Sequence, residues 1–123
     1  MSLTPAAASP PKINAFFDQR VLSPQSPQWV SLDQRHTNGV FVVSAESNPA
    51  SLGDVGCDGA ITDLPDVVLS VQTADCAPVF LYDPAKPAVG MLHAGWRGAV
   101  AGIVRNAVVL MANRYGTQPG RLH

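Results

Sequence analysis

"MLHAGWRGAVAG", residues 91–102, holds the change of period on which the fold turns. Met91 and Leu92 close an apolar run that leads directly into His93. From Ala99 onward, apolar side chains recur at helical spacing instead. Val100, Ile103, Val104, Ala107, Val108 and Met111 share one face, while Arg105, Asn106 and Asn113 fall elsewhere on the wheel. Gly116 is a natural C-terminal stop for that helix. A strand therefore feeds a helix through a small-residue turn. The same turn carries an imidazole, an indole and a guanidinium (His93, Trp96 and Arg97), none of which a structural connection needs.

Upstream, "APVFLYD" (77–83) and "PAVGMLHA" (87–94) read as two short strands. Asp83-Pro84-Ala85-Lys86 between them suits a β-turn, with Asp at the first position and Pro at the second. "DVVLSVQ" (66–72) is a continuous apolar strand expected to be buried on both faces. "ESNPASLGDVGCDGA" (46–60) has the Gly, Asn, Pro and Ser content of a loop. "WVSLDQRHTNGVFVVSA" (29–45) places two β-prone arms around Asn38-Gly39, a strong hairpin signal, with His36 near the end of the first arm. Residues 16–28 form an irregular lead-in and 1–15 a flexible tail. Hairpin, strand, hairpin and helix in that order predict a mixed α+β domain over 16–123, its β-sheets mixed and its helix packed outside.

The chain has 123 residues, enough for one core. Its formal net charge of −1, with Lys12 and Lys86 as its only lysines, argues against a nucleic-acid partner or a membrane surface. No apolar run approaches the roughly 18 residues that span a bilayer. "MSLTPAAASPPK" lacks the basic and apolar regions of a secretory signal, so a cytoplasmic location is expected. With only 14% charged residues the surface is sparsely charged. A partner or further chain would cover such a surface, and self-association through it stays open. A reducing compartment disfavours a disulfide between Cys57 and Cys76, so each cysteine needs its own explanation.

Cys76 and His93 invite one. If Asp83 and Lys86 close the turn, the two residues face each other with Cβ atoms about 5 Å apart. A thiolate and an imidazole so placed can share a metal or act as a couple. Pro78 and Pro87 stand against this, because they hinder ladder hydrogen bonds. Plainer readings are available for each residue. Cys76 could be a small buried hydrophobe, His93 a strand-end residue, His36 a solvent-facing loop residue, Trp96 core and Cys57 incidental. Gly95 and Gly98 let a backbone approach a ligand, and Arg97 beside a helix start could seat a phosphate or carboxylate.

"CDGAITDLPDVVLSVQTADCAPVFLYDP" (57–84) followed by "VGMLHAGWRGAVAGIV" (89–104) closely resembles the YfiH-like family. This is also called the laccase-domain or multicopper polyphenol oxidase family, whose members are described as zinc-dependent purine nucleoside phosphorylases. The likeness runs from about Gln34 to the C-terminus. "QRHTNGV" is similar to the family's Q-x-H-G motif, with Thr37 in place of glycine. The resemblance implies a YfiH-like α/β/β/α fold, of which this chain would hold the central portion. It also implies a zinc site on His36, Cys76 and His93. Family proteins begin with a Gly-Gly-x-Ser-type loop and continue past the equivalent of Leu122 into G-P-x-I and Cys-Cys-Tyr-Glu-Val-like segments. The sequence lacks both, and so reads as cut at both ends.

What the resemblance implies for function is phosphorolysis of purine nucleosides, with adenosine deamination as a companion activity. Zinc would be the cofactor, and a nucleoside and phosphate the small-molecule partners. Three protein ligands with an open fourth position mark a catalytic rather than structural zinc. On this reading Cys76 and His93 are catalytic. Asp75, next to Cys76, is the nearest acid for proton transfer or for orienting a ligand histidine. Arg97, with Gly95 and Gly98, would hold the phosphate. Two rivals stay open: a metal-free hydrolase with Cys76 as nucleophile and His93 as base, and a non-catalytic metal-binding fragment. Copper-dependent phenol oxidation is disfavoured, because one His₂Cys site lacks the histidine pairs of a multicopper cluster.

Overall fold

The computed structural model describes residues 28–123; the 1–15 tail and nearly all of the 16–28 lead-in lie outside the described residues. The elements are β1 (Gln28–Val30), β2 (Val40–Val43), a 3-10 turn (Pro49–Asp54), β3 (Gly59–Thr62), β4 (Val67–Leu69), β5 (Ala77–Asp83) and β6 (Ala88–Ala94). They are followed by α1 (Trp96–Val100), α2 (Ile103–Tyr115) and a final 3-10 turn (Pro119–Arg121). The architecture is α+β, as the sequence predicts.

A four-stranded sheet in the order β2-β3-β6-β5 forms the centre; β2 runs parallel to β3, and the other pairs are antiparallel. Strand alternation sends successive side chains to opposite faces. Ile61, Leu81 and Leu92 meet Ile103, Ala107 and Met111 of α2 on one face. On the other, Ala60 and Val43 meet Val30 and Leu52, flanked by Phe41, Val67 and Leu69. That second layer contains a parallel pair, β1 with β4. Ile103, Ala107 and Met111 are fully buried at helical spacing. Burying a side chain such as Ile103 or Met111 stabilises the fold by about 1.5–3 kcal/mol.

Several expectations are corrected. Asn38-Gly39 does not turn a hairpin: β1 and β2 lie in different sheets, and neither residue has positive φ. Residues 31–39 instead wrap a buried carboxylate, described below, and that binding outweighs the local turn preference. The 66–72 strand is not buried on both faces: its β4 portion is only half-buried, and β3 is the strand whose every residue is buried. Its small residues give "CDGA" the composition of a loop. They are small because the sheet leaves no room: a Cβ on Gly59 would collide with Leu92 Cδ2.

The helix also begins earlier than its periodicity suggests, at Trp96, and breaks at Gly102, where φ is +86°. The break turns Val100 away from the α2 stripe. Val100 and Val104, both expected in the core, are 84% and 39% exposed, Val104 within α2 beside the buried line of Ile103, Ala107 and Met111. Among the described residues, no helix is long and apolar enough to cross a membrane.

Candidate metal centre

His93 is the penultimate residue of β6 and almost wholly buried, on the sheet face opposite Leu92. Cys76 directly precedes β5 and is half-buried, while His36 sits exposed on the loop entering β2. Three distant segments thus converge at one end of the central sheet. A ligand atom from each lies within 4.8 Å of those of the other two. The two imidazoles meet edge to face, with ring centroids 5.1 Å apart.

Asp58, fully buried just before β3, organises the surroundings. Its Oδ1 accepts hydrogen bonds from the Arg35 amide (3.0 Å), the Thr37 amide (2.9 Å) and the Thr37 hydroxyl (2.9 Å). Its Oδ2 accepts from the His36 amide at 2.9 Å and lies 2.8 Å from His93 Nδ1. Three successive amides around one anion form a backbone nest. His36 is held at φ +59° within it, a conformation uncommon for a residue other than glycine. Burial alone would raise the Asp58 carboxyl. The Thr37 amide, the His93 ring and the Arg35 amide outweigh that effect and hold it at about 2.

Further contacts tie the three segments together. The Gln34 side-chain amide donates to the Gln72 carbonyl and accepts from the Gln72 amide, both at 2.7 Å. The His36 loop is thereby joined to the loop that delivers Cys76. The Thr73 hydroxyl donates to the Cys76 carbonyl. Asn38 donates to the Ala101 carbonyl at the helix break and accepts from the Asn106 side chain. A Cβ on Gly95 would lie 3.0 Å from His36 Cδ2 and 3.3 Å from Cys76 Sγ; one on Gly98 would lie 2.6 Å from the Thr37 carbonyl oxygen. Both glycines therefore admit the His36 loop and Cys76 against the turn.

Arg97 is exposed, its guanidinium carbon 5.3 Å from the ring centroid of Trp96, which is itself 73% exposed rather than core. Asp75 is exposed, and the acid in contact with His93 is Asp58. Cys57 is a free thiol whose pKa is raised by burial and then by the neighbouring Asp58 charge. Sequence reasoning thus missed Asp58 and Gln34. Asp58 had a signal, an acid at the head of "DGAIT" where the chain enters the sheet. Gln34 had only its place in "QRHTNGV".

Two imidazoles and a thiolate are a donor set suited to zinc-type ions. A carboxylate beside His93 Nδ1, as Asp58 is, is a partner that ligand histidines ordinarily have, and Nε2 is the ring nitrogen it does not engage. The residues fit a metal.

Residues 13–123 match the family described as multi-copper polyphenol oxidoreductase laccase. The chain belongs to this family. Among its curated relatives, the purine nucleoside phosphorylase YlmD of Bacillus subtilis is 35% identical over 100 residues, 77% of this chain and 36% of that protein. The purine nucleoside phosphorylase of Deinococcus radiodurans is 40% identical over 92 residues, 75% of this chain and 34% of that protein. The crystal structure of Bacillus licheniformis hypothetical protein YfiH superposes with a TM-score of 0.72 at 33% identity, covering 77% of this chain and 38% of that one. The chain thus spans about a third of the length of these curated relatives. The laccase-like name does not fix the metal, and a single His₂Cys group is what the described residues present.

Proposed function

We propose that this chain carries the zinc centre of a purine nucleoside phosphorylase, with adenosine deamination as a companion activity. The convergence of His36, Cys76 and His93 at one end of the sheet carries the reading; the names of the relatives support its substrate class. His36, Cys76 and His93 would hold the ion, which when bound supplies Lewis-acid polarisation of an oxygen.

Phosphorolysis asks the protein to seat phosphate and to manage a proton. A phosphate oxygen bonds to the ribose anomeric carbon while the bond to the purine nitrogen breaks. The departing base takes up a proton, leaving ribose-1-phosphate. Arg97 is the phosphate-seating residue on this reading. Its fork matches two phosphate oxygens, and stacking on Trp96 limits its freedom. The helix start adds little, because α1 is a five-residue element. Gly95 and Gly98 pack the turn that carries Arg97 against Cys76 and the His36 loop. Asp75, next to Cys76 and exposed, is the nearest acidic side chain for proton transfer on this reading. A cytoplasmic location belongs to the same reading, since Cys57 and Cys76 are free thiols.

One observation favours a second reading. Cys76, His93 and Asp58 also stand in the order of a nucleophile, a base and an orienting acid. His36 separates the two, being idle in such a triad and required in a zinc centre. The zinc-loaded chain, and a longer protein containing it, should convert inosine and phosphate to hypoxanthine and ribose-1-phosphate. Adenosine should yield inosine. Cys76→Ala should abolish both. Turnover that survives metal stripping would select the triad, and no free base or inosine from the zinc-loaded longer protein would overturn the proposal.

A further inference from the structure

We propose that Asp58 is the positioning residue of the centre: one buried carboxylate fixes the tautomer of His93 and sets the backbone of the His36 loop, so that a single side chain aims both imidazoles. The inference rests on the metal-centre reading and extends it from the ligands to what orders them.

Topology places Asp58 between the two histidines. It heads β3, which lies between β2, entered from the His36 loop, and β6, which carries His93. Its main chain already bridges them: the Asp58 amide donates to the Gly39 carbonyl at 3.0 Å, and the His93 amide donates to the Asp58 carbonyl at 2.6 Å. The side chain then closes both gaps, reaching His36 across 22 residues of sequence and His93 across 35.

The chemistry of the donors decides the tautomer. The amides of Arg35, His36 and Thr37 can only donate, so the group they surround must be an acceptor on both oxygens. An ionised carboxylate has acceptor capacity alone. Beside a carboxylate that those amides hold ionised, His93 Nδ1, 2.8 Å from Oδ2, carries a proton, and in the neutral ring this leaves the Nε2 lone pair bare. The same anion holds His36 at φ +59° by gathering the amides on either side of it. Without that charge, the loop has nothing comparable to keep a non-glycine residue in the left-handed region.

Asp58→Asn tests this. If the asparagine carbonyl faces Arg35 and Thr37, its NH₂ meets His93 Nδ1. The ring can then accept that contact only by moving its proton to Nε2, into the place of the ligand lone pair. Long-range ¹⁵N–¹H spectra of the metal-free protein should show His93 protonated at Nδ1 in the wild type and at Nε2 in Asp58→Asn. Cobalt(II), titrated through its visible and thiolate charge-transfer bands, should bind about 10- to 100-fold more weakly to the variant. A cooperative thermal transition serves as the check on folding.

Thr37→Val removes one Oδ1 partner and leaves the His93 contact, so it should retain the wild-type tautomer. Protonation at Nε2 in the wild type overturns the proposal, and so does a folded Asp58→Asn with unchanged tautomer and cobalt affinity. Should Asp58→Asn fail to fold, the wild-type and Thr37→Val spectra decide it. A wild type that has Nδ1–H but binds no cobalt overturns the metal-centre reading while leaving Asp58's hold on His93 in place.

Discussion

Pro78, not Cys76, is the residue that faces His93 across the β5–β6 ladder. The turn closes at Asp83 and Ala88 rather than at Asp83 and Lys86, with Asp83 Oδ1 accepting the Ala85 and Lys86 amides inside it. The register therefore slips by two residues from the sequence-based expectation. Two is the period of a strand, so the slip keeps Cys76 on the face of His93. It also moves Cys76 beyond the end of β5, where the ladder no longer fixes it.

The Gln34–Gln72 pair takes over that task, and Gln34→Ala tests it. Two hydrogen bonds are lost, each worth about 0.5–1.5 kcal/mol. Denaturant unfolding of the metal-free protein should show a loss of about 1–2 kcal/mol, allowing for partial replacement by water. Cobalt affinity should fall several-fold as Cys76 loosens. Gln34→Glu, which keeps the acceptor for the Gln72 amide but loses the donor, should fall between. Affinity unchanged in Gln34→Ala would mean that Cys76 is held by Thr73 and the chain alone.

Gly95→Ala puts a methyl against His36 and Cys76 together. At 3.0 Å from His36 Cδ2 it is tighter than most real contacts, so the exposed ring must give by a few tenths of an ångström. Overpacking of this kind costs about 1–3 kcal/mol, and much of it should appear as weaker metal binding because His36 can yield. Metal content and the cobalt spectrum should change while the far-ultraviolet circular dichroism stays as in the wild type. A wild-type cobalt spectrum in the variant would remove Gly95 from the site.

Arg97→Lys keeps the charge and loses the fork. Phosphate-dependent turnover should fall, with the apparent KM for phosphate rising, while bound zinc stays constant. An unaltered KM and rate would make Arg97 an ordinary surface residue.

Acid should act through Asp58. Its ordinary value near 3.8 is depressed to about 2 on folding. The carboxylate therefore stabilises the fold fully above the unfolded value, and that stabilisation is lost as pH falls through the folded one. The linked contribution is about 2 kcal/mol. Asp83 adds in the same direction: burial raises its carboxyl, but the nearby Thr117 and the Lys86 and Ala85 amides that donate to its Oδ1 lower it by more. Urea unfolding of the metal-free protein should show stability level near neutrality and falling between about pH 4 and pH 2. A profile flat to pH 2 would contradict the Asp58 hydrogen-bond network.

How far the sequence was legible follows from which signals are local. The α2 stripe of Ile103, Ala107 and Met111 and the β5–β6 hairpin were readable, because each rests on neighbours in the chain. The convergence of Cys76 with His93 was reached through a wrong register of the right parity. β3 was hidden because packing against Leu92 dictates its small residues, and nothing nearby in sequence records that neighbour. The Asn38-Gly39 reading failed for the same kind of reason. Asp58, about 20 residues downstream, captures the amides just before it. Asp58 itself could be quoted from the sequence but not given its role, since its partners are joined only by the fold.

The helix break at Gly102 has a consequence for motion. α2 is anchored by three fully buried side chains, whereas Gly98 is the only buried residue of α1. Opening α1 therefore exposes almost no new apolar surface, and it can unzip as a local unit while the sheet and α2 stay closed. Amide protons in α1 should exchange with solvent deuterium through such openings, far faster than those at the centre of α2, which must wait for global unfolding. Trp96 and Arg97 ride on that unit, while His93 is fixed within β6 and the His36 loop is tied to the sheet through Asp58. The turn that carries Arg97 is thereby free to breathe against a His93 held in the sheet.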